Sequence, residues 1–407
     1  MATTLTDFDF PAHVPADLRW DRSMAEYAHE GDDPFLAVSR LHEGPDIFYA
    51  RDATQGRPGW VITRHALQQE AFVDYEHFTS EGQAGLNQLL GVEWRLAPLE
   101  YDPPAQVEFR KVINPYFTPK EINSMGDAVK ETCDRLIAKF EYKGGCEFIE
   151  DFAVPFPTYI FLSLVGLPVE EAPQFLQWEA SMLRAQTMEE RITAHIEVMH
   201  YLQAFIQEQR KNPTNRIIDG IIKSNLGDRP ITDDEILGLL YTFYLGGLDT
   251  VYSTLGFIMR HLALHRDLQH RLRNNHELIN DAVDEFCRAF SVVSTSRMVA
   301  NDLTFHGVEM KQGELVLMPL FLAGRDPKAW DNPHEIDLNR KPSALAFASG
   351  PHLCVGRHLA RRELRIALQS FLSRFDNIHI PEGETCSYHA SSVYGMDRLP
   401  LAWTRQK

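Results

Sequence analysis

The chain has 407 residues, 44% of them hydrophobic and 24% charged, an ordinary globular mix that excludes disordered and fibrous classes. Its 40 Lys and Arg against 57 Asp and Glu leave a net charge of −17. That charge counts against sequence-independent nucleic-acid binding and against adsorption to anionic lipid, because both surfaces repel it. The cysteines Cys133, Cys146, Cys287, Cys354 and Cys386 are odd in number and scattered without zinc-type spacing. Free thiols in a reducing, cytoplasmic compartment are expected. Met1–Pro15 is interrupted by Asp7 and Asp9 and has no apolar core of a secretory leader. No run reaches the ~18 apolar residues of a spanning helix, so no membrane association is expected.

In chain order, Asp46–Ala50 and Trp60–Thr63 flank Gly56-Arg57-Pro58-Gly59 and predict a hairpin turning at those four residues. From about Pro119 to His265 apolar positions recur three and four apart, which predicts helices. Leu303–His306 and Leu315–Met318 predict strands joined through a Lys311-Gln312-Gly313 turn. A helix follows Cys354, and Ser387–Trp403 closes on strand-like segments. No repeat, low-complexity tract or linker divides the chain, so residues 1–407 are expected to form a single domain, mainly α with a smaller β region.

Ile231–His265 predicts the most informative helix. Thr232 and Glu235 have capping-box spacing, and Asp233 and Asp234 suit the positive end of the helix dipole. Leu239 to Leu245 is apolar around most of the circumference, the pattern of a buried helix. Within it Gly246 and Gly247 each cost about 1 kcal/mol relative to alanine. Either another helix packs closely there or a flat ligand lies against bare backbone. Asp249 and Thr250 follow, an acid and an alcohol in an apolar wall. Threonine there bonds back to the carbonyl of Gly246, so the four residues together predict a bent or opened turn and a polar notch that holds a small molecule.

Phe347-Ala348-Ser349-Gly350-Pro351-His352-Leu353-Cys354-Val355-Gly356 is a loop running into a helical pattern. Loose N–H groups and the dipole at that helix start favour a thiolate at Cys354. A buried structural thiol, a zinc site with His352 and His358, and a cysteine nucleophile are the alternatives that the residues leave open.

These residues carry a resemblance. Phe347-x-x-Gly350-x-His352-x-Cys354-x-Gly356 resembles the haem-binding signature of cytochrome P-450 monooxygenases, and Gly246-Gly247-x-Asp249-Thr250 resembles the oxygen-binding motif on that family's central helix. Glu285-x-x-Arg288 is similar to its buried acid–arginine pair. Arg325-Asp326-Pro327 with Trp330-x-x-Pro333 and Asp337-x-x-Arg340 resembles the segment leading to the haem loop. Among family branches, the bacterial camphor hydroxylases are the most similar, through Asp102-Pro103-Pro104 to Phe109-Arg110, Gly246–Val251, Phe305–Val308 and Leu359–Glu363.

The resemblance implies the cytochrome P-450 fold, with haem b between the long central helix and the helix after the cysteine loop. Cys354 is then the iron ligand, with Phe347, Gly350, Gly356, Gly246 and Gly247 shaping the site. Asp249 and Thr250 deliver protons to dioxygen. His352, Arg297 and Arg110 face the haem propionates, with Gln106 where many members carry histidine. Trp94 falls where the camphor enzyme has the tyrosine that holds the substrate ketone. Ala84, Thr242, Leu245, Val293 and Val393 fall at other pocket positions. The implied substrate is a small terpenoid, a norisoprenoid such as ionone or a camphor-like ketone. Electrons are implied to come from a two-iron two-sulfur ferredoxin with its NADH-dependent reductase, docking on Arg357, Arg361, Arg362 and Arg365; the implied enzyme is monomeric. A peroxide-driven hydroxylase of the same fold and a non-catalytic haem-thiolate sensor are the competing functions.

Overall fold

The computed structural model describes residues 8–184 and 187–405. The first seven residues, on which the leader expectation partly rests, lie outside the described residues. The chain groups into two compact units. One is built from the residues up to Gln83, Glu285–Leu353 and His389–Tyr394; the other from Ala84–Asp284, Cys354–Tyr388 and the residues from Gly395 on.

The first unit holds a six-stranded sheet in the order Arg19–Ser23, Ile47–Thr54, Arg57–Ile62, Leu315–Pro319, Ser294–Val299, Phe78–Thr79. The expected hairpin forms, with Ile47 opposite Ile62 and Tyr49 opposite Trp60. Its turn, however, is Gln55-Gly56, both left-handed at φ 52° and 79°. A two-residue connection of that hand follows the twist of the flanking strands, so Arg57, Pro58 and Gly59 already belong to the second strand. Gly59 is needed for another reason: a methyl group there would sit 2.6 Å from the Leu315 carbonyl oxygen of the neighbouring strand.

The two later strand segments do not pair with each other. Leu303–Phe305 pairs with Val308–Met310 around His306 and Gly307. Leu315–Pro319 lies inside the sheet, parallel to Arg57–Ile62 and antiparallel to Ser294–Val299. All five of its residues are buried, as expected of a strand covered on both faces, which reads as an unbroken apolar run.

Glu285 and Arg288 are both fully buried and meet in a two-pronged pair at 2.8 Å on each prong. Arg288 also donates to the carbonyls of Gly324, Pro333 and Glu335. Glu285 accepts from Arg340 at 3.1 Å and from the Asp337 N–H at 3.0 Å. Every lone pair and proton of a buried ion pair needs such a partner.

The second unit is largely helical, as the spacing from Pro119 to His265 predicts. Its main helices are Gly126–Ile137, Pro155–Val165, Ala172–Arg184, Met188–Lys211, Asp233–Leu264 and Arg357–Arg374. The longest, Asp233–Leu264, has 32 residues and starts at the expected capping box, with both the Thr232 and the Glu235 bonds made. At 1.5 Å per residue it runs about 48 Å. Leu237, Leu239, Leu240, Tyr241 and Tyr244 are buried in one apolar cluster with Phe161, Phe175 and Val198. A small sheet of Phe375–His379, Pro400–Arg405 and Gly145–Glu147 completes the unit. Among the described residues no helix is long and apolar enough to cross a membrane.

Replacing Arg288 by alanine leaves the Glu285 carboxylate buried without its cation. Arg288→Ala is expected to lower the unfolding free energy by about 3–5 kcal/mol, measured as a reduced urea midpoint. Arg288→Lys, which keeps the charge but loses the fork, is expected to recover only part of it.

Candidate active site

The oddities of the long helix separate by what surrounds them. A methyl group on Gly238 would lie 2.2 Å from the Arg95 carbonyl oxygen, so that glycine admits a neighbouring backbone. Gly246 has nothing within 4 Å of such a methyl, and Gly247 meets only Phe161 at an ordinary 3.5 Å. Helix packing therefore explains Gly238 and leaves Gly246 as open space on the helix. The Thr250 hydroxyl donates to the Gly246 carbonyl at 3.0 Å, as the spacing predicts. Asp249 is buried and accepts from the Ser253 hydroxyl at 3.3 Å. The helix nevertheless runs uninterrupted through these residues, so the notch comes from missing side chains and not from an opened turn.

Cys354 stands three residues before the helix Arg357–Arg374, whose N-cap is Gly356. Its sulfur accepts the N–H groups of Gly356 and Arg357, and Arg110 and Arg357 act on it electrostatically. All of these favour thiolate, yet burial outweighs them and pushes the thiol above its ordinary value. In the chain alone, desolvation opposes the dipole and the donors that favour thiolate. A bound metal cation reverses that balance, since it takes the charge directly. Burial likewise holds Arg110 below the usual arginine value, with the Cys354 sulfur pulling the other way. Gln106, one turn earlier on the helix Ala105–Ile113, is buried.

The remaining loop residues belong to the first unit. Gly350 is left-handed at φ 67°, and a methyl group there would lie 2.5 Å from the Phe72 carbonyl oxygen. Phe347 ends a single tight turn, Leu345–Phe347. His352 Nε2 lies 3.0 Å from the Ser80 hydroxyl. Arg297 is buried; it donates to Gln83 Oε1 at 3.1 Å and to the Ser296 carbonyl at 2.7 Å, with its guanidinium 5.5 Å from the Phe72 ring centre. Val293 and Val393 form an isolated bridge.

In the second unit Trp94 is buried against Tyr241, ring centres 5.3 Å apart. Among the described residues its Nε1 has no hydrogen-bond partner. Thr242 donates to the Gly238 carbonyl at 2.8 Å, and Leu245 packs on the apolar cluster. The Ala84 N–H is held by Glu100 at 3.2 Å. The four arginines after Cys354 are all half-buried. Arg361 binds Asp284 at 2.6 Å, and Arg357 donates to the Cys354 carbonyl at 3.0 Å. The basic patch is thus narrower than its sequence suggests.

Sequence reasoning passed over Glu100, Tyr241 and His195. The Tyr241 hydroxyl lies 2.7 Å from His195 Nδ1 on the helix Met188–Lys211. A lone carboxylate in the apolar run Leu96–Tyr101 was the one visible signal.

Within the second unit, this thiol flanked by N–H donors and arginine and the bare notch with its acid and alcohol suit a haem ligated by sulfur. The comparisons agree. A family model described as Cytochrome P450 matches residues 169–401. Probable cytochrome P450 127A1 of Sinorhizobium fredii is 34% identical over 403 residues, 97% of this chain and 96% of that one. The crystal structures of CYP101J2 and CYP101C1 superpose with TM-scores of 0.87 and 0.88 at 29% and 28% identity. They cover 98% and 97% of this chain and all of theirs. The chain belongs to the cytochrome P450 family. It is an oxidoreductase of the monooxygenase class, in which haem b is bound through a cysteine thiolate.

Burial lowers the His195 pKa to about 4 from 6.5, with Arg191 adding to it. Between those values the unfolded chain binds a proton that the folded chain refuses, so stability falls as pH drops from about 6.5 to about 4. The loss attributable to His195 is about 3 kcal/mol. The difference between wild-type and His195→Phe urea-unfolding curves, taken across that range, is expected to carry it.

Proposed function

We propose that the chain inserts one oxygen atom of O2 into a C–H bond of a small hydrophobic terpenoid ketone, with Cys354 as the haem ligand. Residues 1–407 act as one monomeric catalytic domain, as the family resemblance implies. When bound, haem supplies dioxygen activation, and thiolate ligation favours O–O cleavage.

The observation that carries the reading is the notch. Gly246 leaves room beside the helix, while Thr250 Oγ1, with its own proton held by the Gly246 carbonyl, keeps its lone pairs for a small polar guest. Rotation of that hydroxyl releases its proton to the guest, and Asp249, next to it on the helix and held by Ser253, resupplies it. A chemistry that receives oxygen already reduced, as peroxide, has no use for this relay. Arg297, Arg110 and His352 neutralise the propionates, with Gln106 supporting Arg110 from one turn away. Phe347, Gly350 and Gly356 shape the cysteine loop. Gly356 contributes its N–H to the sulfur, not its lack of side chain, because a methyl group there would meet Sγ at an ordinary 3.9 Å.

The ketone follows from Trp94. A buried N–H left unmade costs about 1–3 kcal/mol, and a substrate oxygen offsets that cost. Thr242, Leu245, Ala84, Val293 and Val393 supply apolar walls and edges. A norisoprenoid such as ionone is preferred to camphor in this reading because the indole N–H has a different reach from the phenol of the camphor branch. Electrons come from a two-iron two-sulfur ferredoxin and its NADH-dependent reductase. The acidic ferredoxin is steered to Arg362 and Arg365, which lack the ties of Arg357 and Arg361 and oppose the chain's net −17.

Two experiments test this. With NADH, reductase and ferredoxin, Thr250→Ala is expected to cut product formed per NADH at least tenfold while NADH oxidation continues, and to leave peroxide-supported turnover within twofold. Equal loss in both assays would remove Thr250 from the proton path, and wild-type turnover faster with peroxide than with NADH, reductase and ferredoxin would favour the peroxide-driven reading. In a Soret titration of the ferric holoprotein, β-ionone is expected to produce a strong low-to-high-spin shift and camphor little; the reverse ranking would make camphor the better fit.

A further inference from the structure

The segment that carries Trp94 is tied at both ends to one carboxylate. Glu100 is buried, with 1% of its surface exposed. One of its oxygens accepts the Ala84 N–H and the other accepts the Leu96 N–H, each at 3.2 Å. The thirteen residues 84–96, including the short helix Leu86–Leu90 and Trp94, are thereby closed into a loop by a single side chain. A buried carboxylate is costly unless charge-assisted hydrogen bonds satisfy it, so both bonds are held firmly. The loop is also seated from outside. The Arg95 carbonyl lies where only Gly238 lets the long helix approach, and the Trp94 ring rests on Tyr241, which His195 holds by its hydroxyl. Everything around Trp94 fixes the indole except its N–H, which has no partner among the described residues.

We infer that Glu100 is a positioning residue for substrate selection. By bonding both ends of the segment 84–96 it holds the Trp94 N–H as a preformed donor, so the enzyme favours substrates carrying an oxygen acceptor over hydrocarbons of the same shape. The inference rests on the reading that Trp94 faces the substrate. Preorganisation of this kind acts on affinity by removing the ordering that binding would otherwise require. It does not require Glu100 to touch the substrate.

The test uses the ferric holoprotein and two probes: β-ionone, and the hydrocarbon in which its carbonyl is replaced by CH2. In Glu100→Gln one oxygen still accepts an N–H, while the new NH2 faces the other N–H donor to donor, so one end of the loop is released. Glu100→Gln is expected to weaken β-ionone binding about tenfold and the hydrocarbon less than twofold. Trp94→Phe, which keeps a ring and removes the donor, is expected to do the same, and the double variant to show no further loss of selectivity. Hydrogen exchange is expected to rise at least tenfold in the peptide spanning 84–96 of Glu100→Gln and to stay unchanged in the long helix.

If Trp94→Phe lowers selectivity and Glu100→Gln weakens both probes equally, Glu100 is structural only and the inference fails while the substrate reading stands. If Trp94→Phe leaves selectivity unchanged, the substrate reading fails and the inference falls with it. Unchanged exchange across 84–96 in Glu100→Gln, with selectivity kept, overturns the clamp itself.

Discussion

A carbonyl oxygen on a buried helix has one hydrogen-bond obligation inside the helix and room for a second, and the Thr250 hydroxyl takes that second place on Gly246. Much of the chemistry proposed for the chain depends on this bond. It sets the direction of the hydroxyl, it needs the bare backbone of Gly246 beside it, and it places Asp249 one residue back on the helix's buried side. The same helix uses another glycine, Gly238, for a different purpose: to let the Arg95 backbone come close. Two glycines eight residues apart on one helix thus separate an open face from a packing contact. What surrounds each decides which is which.

Burial is the opposing term throughout. It raises the Cys354 thiol against four favourable influences, lowers the His195 imidazole to about 4 and holds Arg110 below its ordinary value. Each of these groups sits in a low-dielectric surround where an unpaired charge is expensive. The Glu285–Arg288 pair shows how the fold answers that cost when the charge must stay: five hydrogen-bond partners from one stretch of chain, residues 324–340, enclose it. Cys354 has two backbone N–H groups and two arginines acting on it, and burial still outweighs them.

The legible parts of the sequence were those in which residues a few positions apart contradict or complete one another. Thr232 and Glu235 announce a helix start because both halves of a capping box lie within four residues. Gly246, Gly247, Asp249 and Thr250 stand out because each violates the propensity of a buried helix. Where the decisive partner is distant, the reading failed. Gly59 looks like a turn residue and is instead required by Leu315 in a neighbouring strand. Leu303–Phe305 and Leu315–Pro319 look like partners because a turn lies between them, although each pairs elsewhere. Glu100 reads as an ordinary acid until Ala84, 16 residues away, is seen at its oxygen, and the Tyr241 hydroxyl meets His195 across 46 residues. At Cys354 only half of the balance was legible: a helix start is visible in sequence, and the desolvation that opposes it is not.

The small sheet of the second unit has a bearing on how the protein is made. Leu401 pairs with Cys146, and the Leu399 N–H bonds to Glu147, 252 residues away in the chain. Closing so long a loop is entropically costly and slow, and it cannot begin until the later strand has left the ribosome. Throughout synthesis the aromatic cluster of Phe140, Phe148 and Phe152 waits for Phe371, Phe375 and Trp403. The nascent chain therefore exposes a strip of unpartnered phenylalanines for most of its time on the ribosome, the kind of surface that chaperones bind.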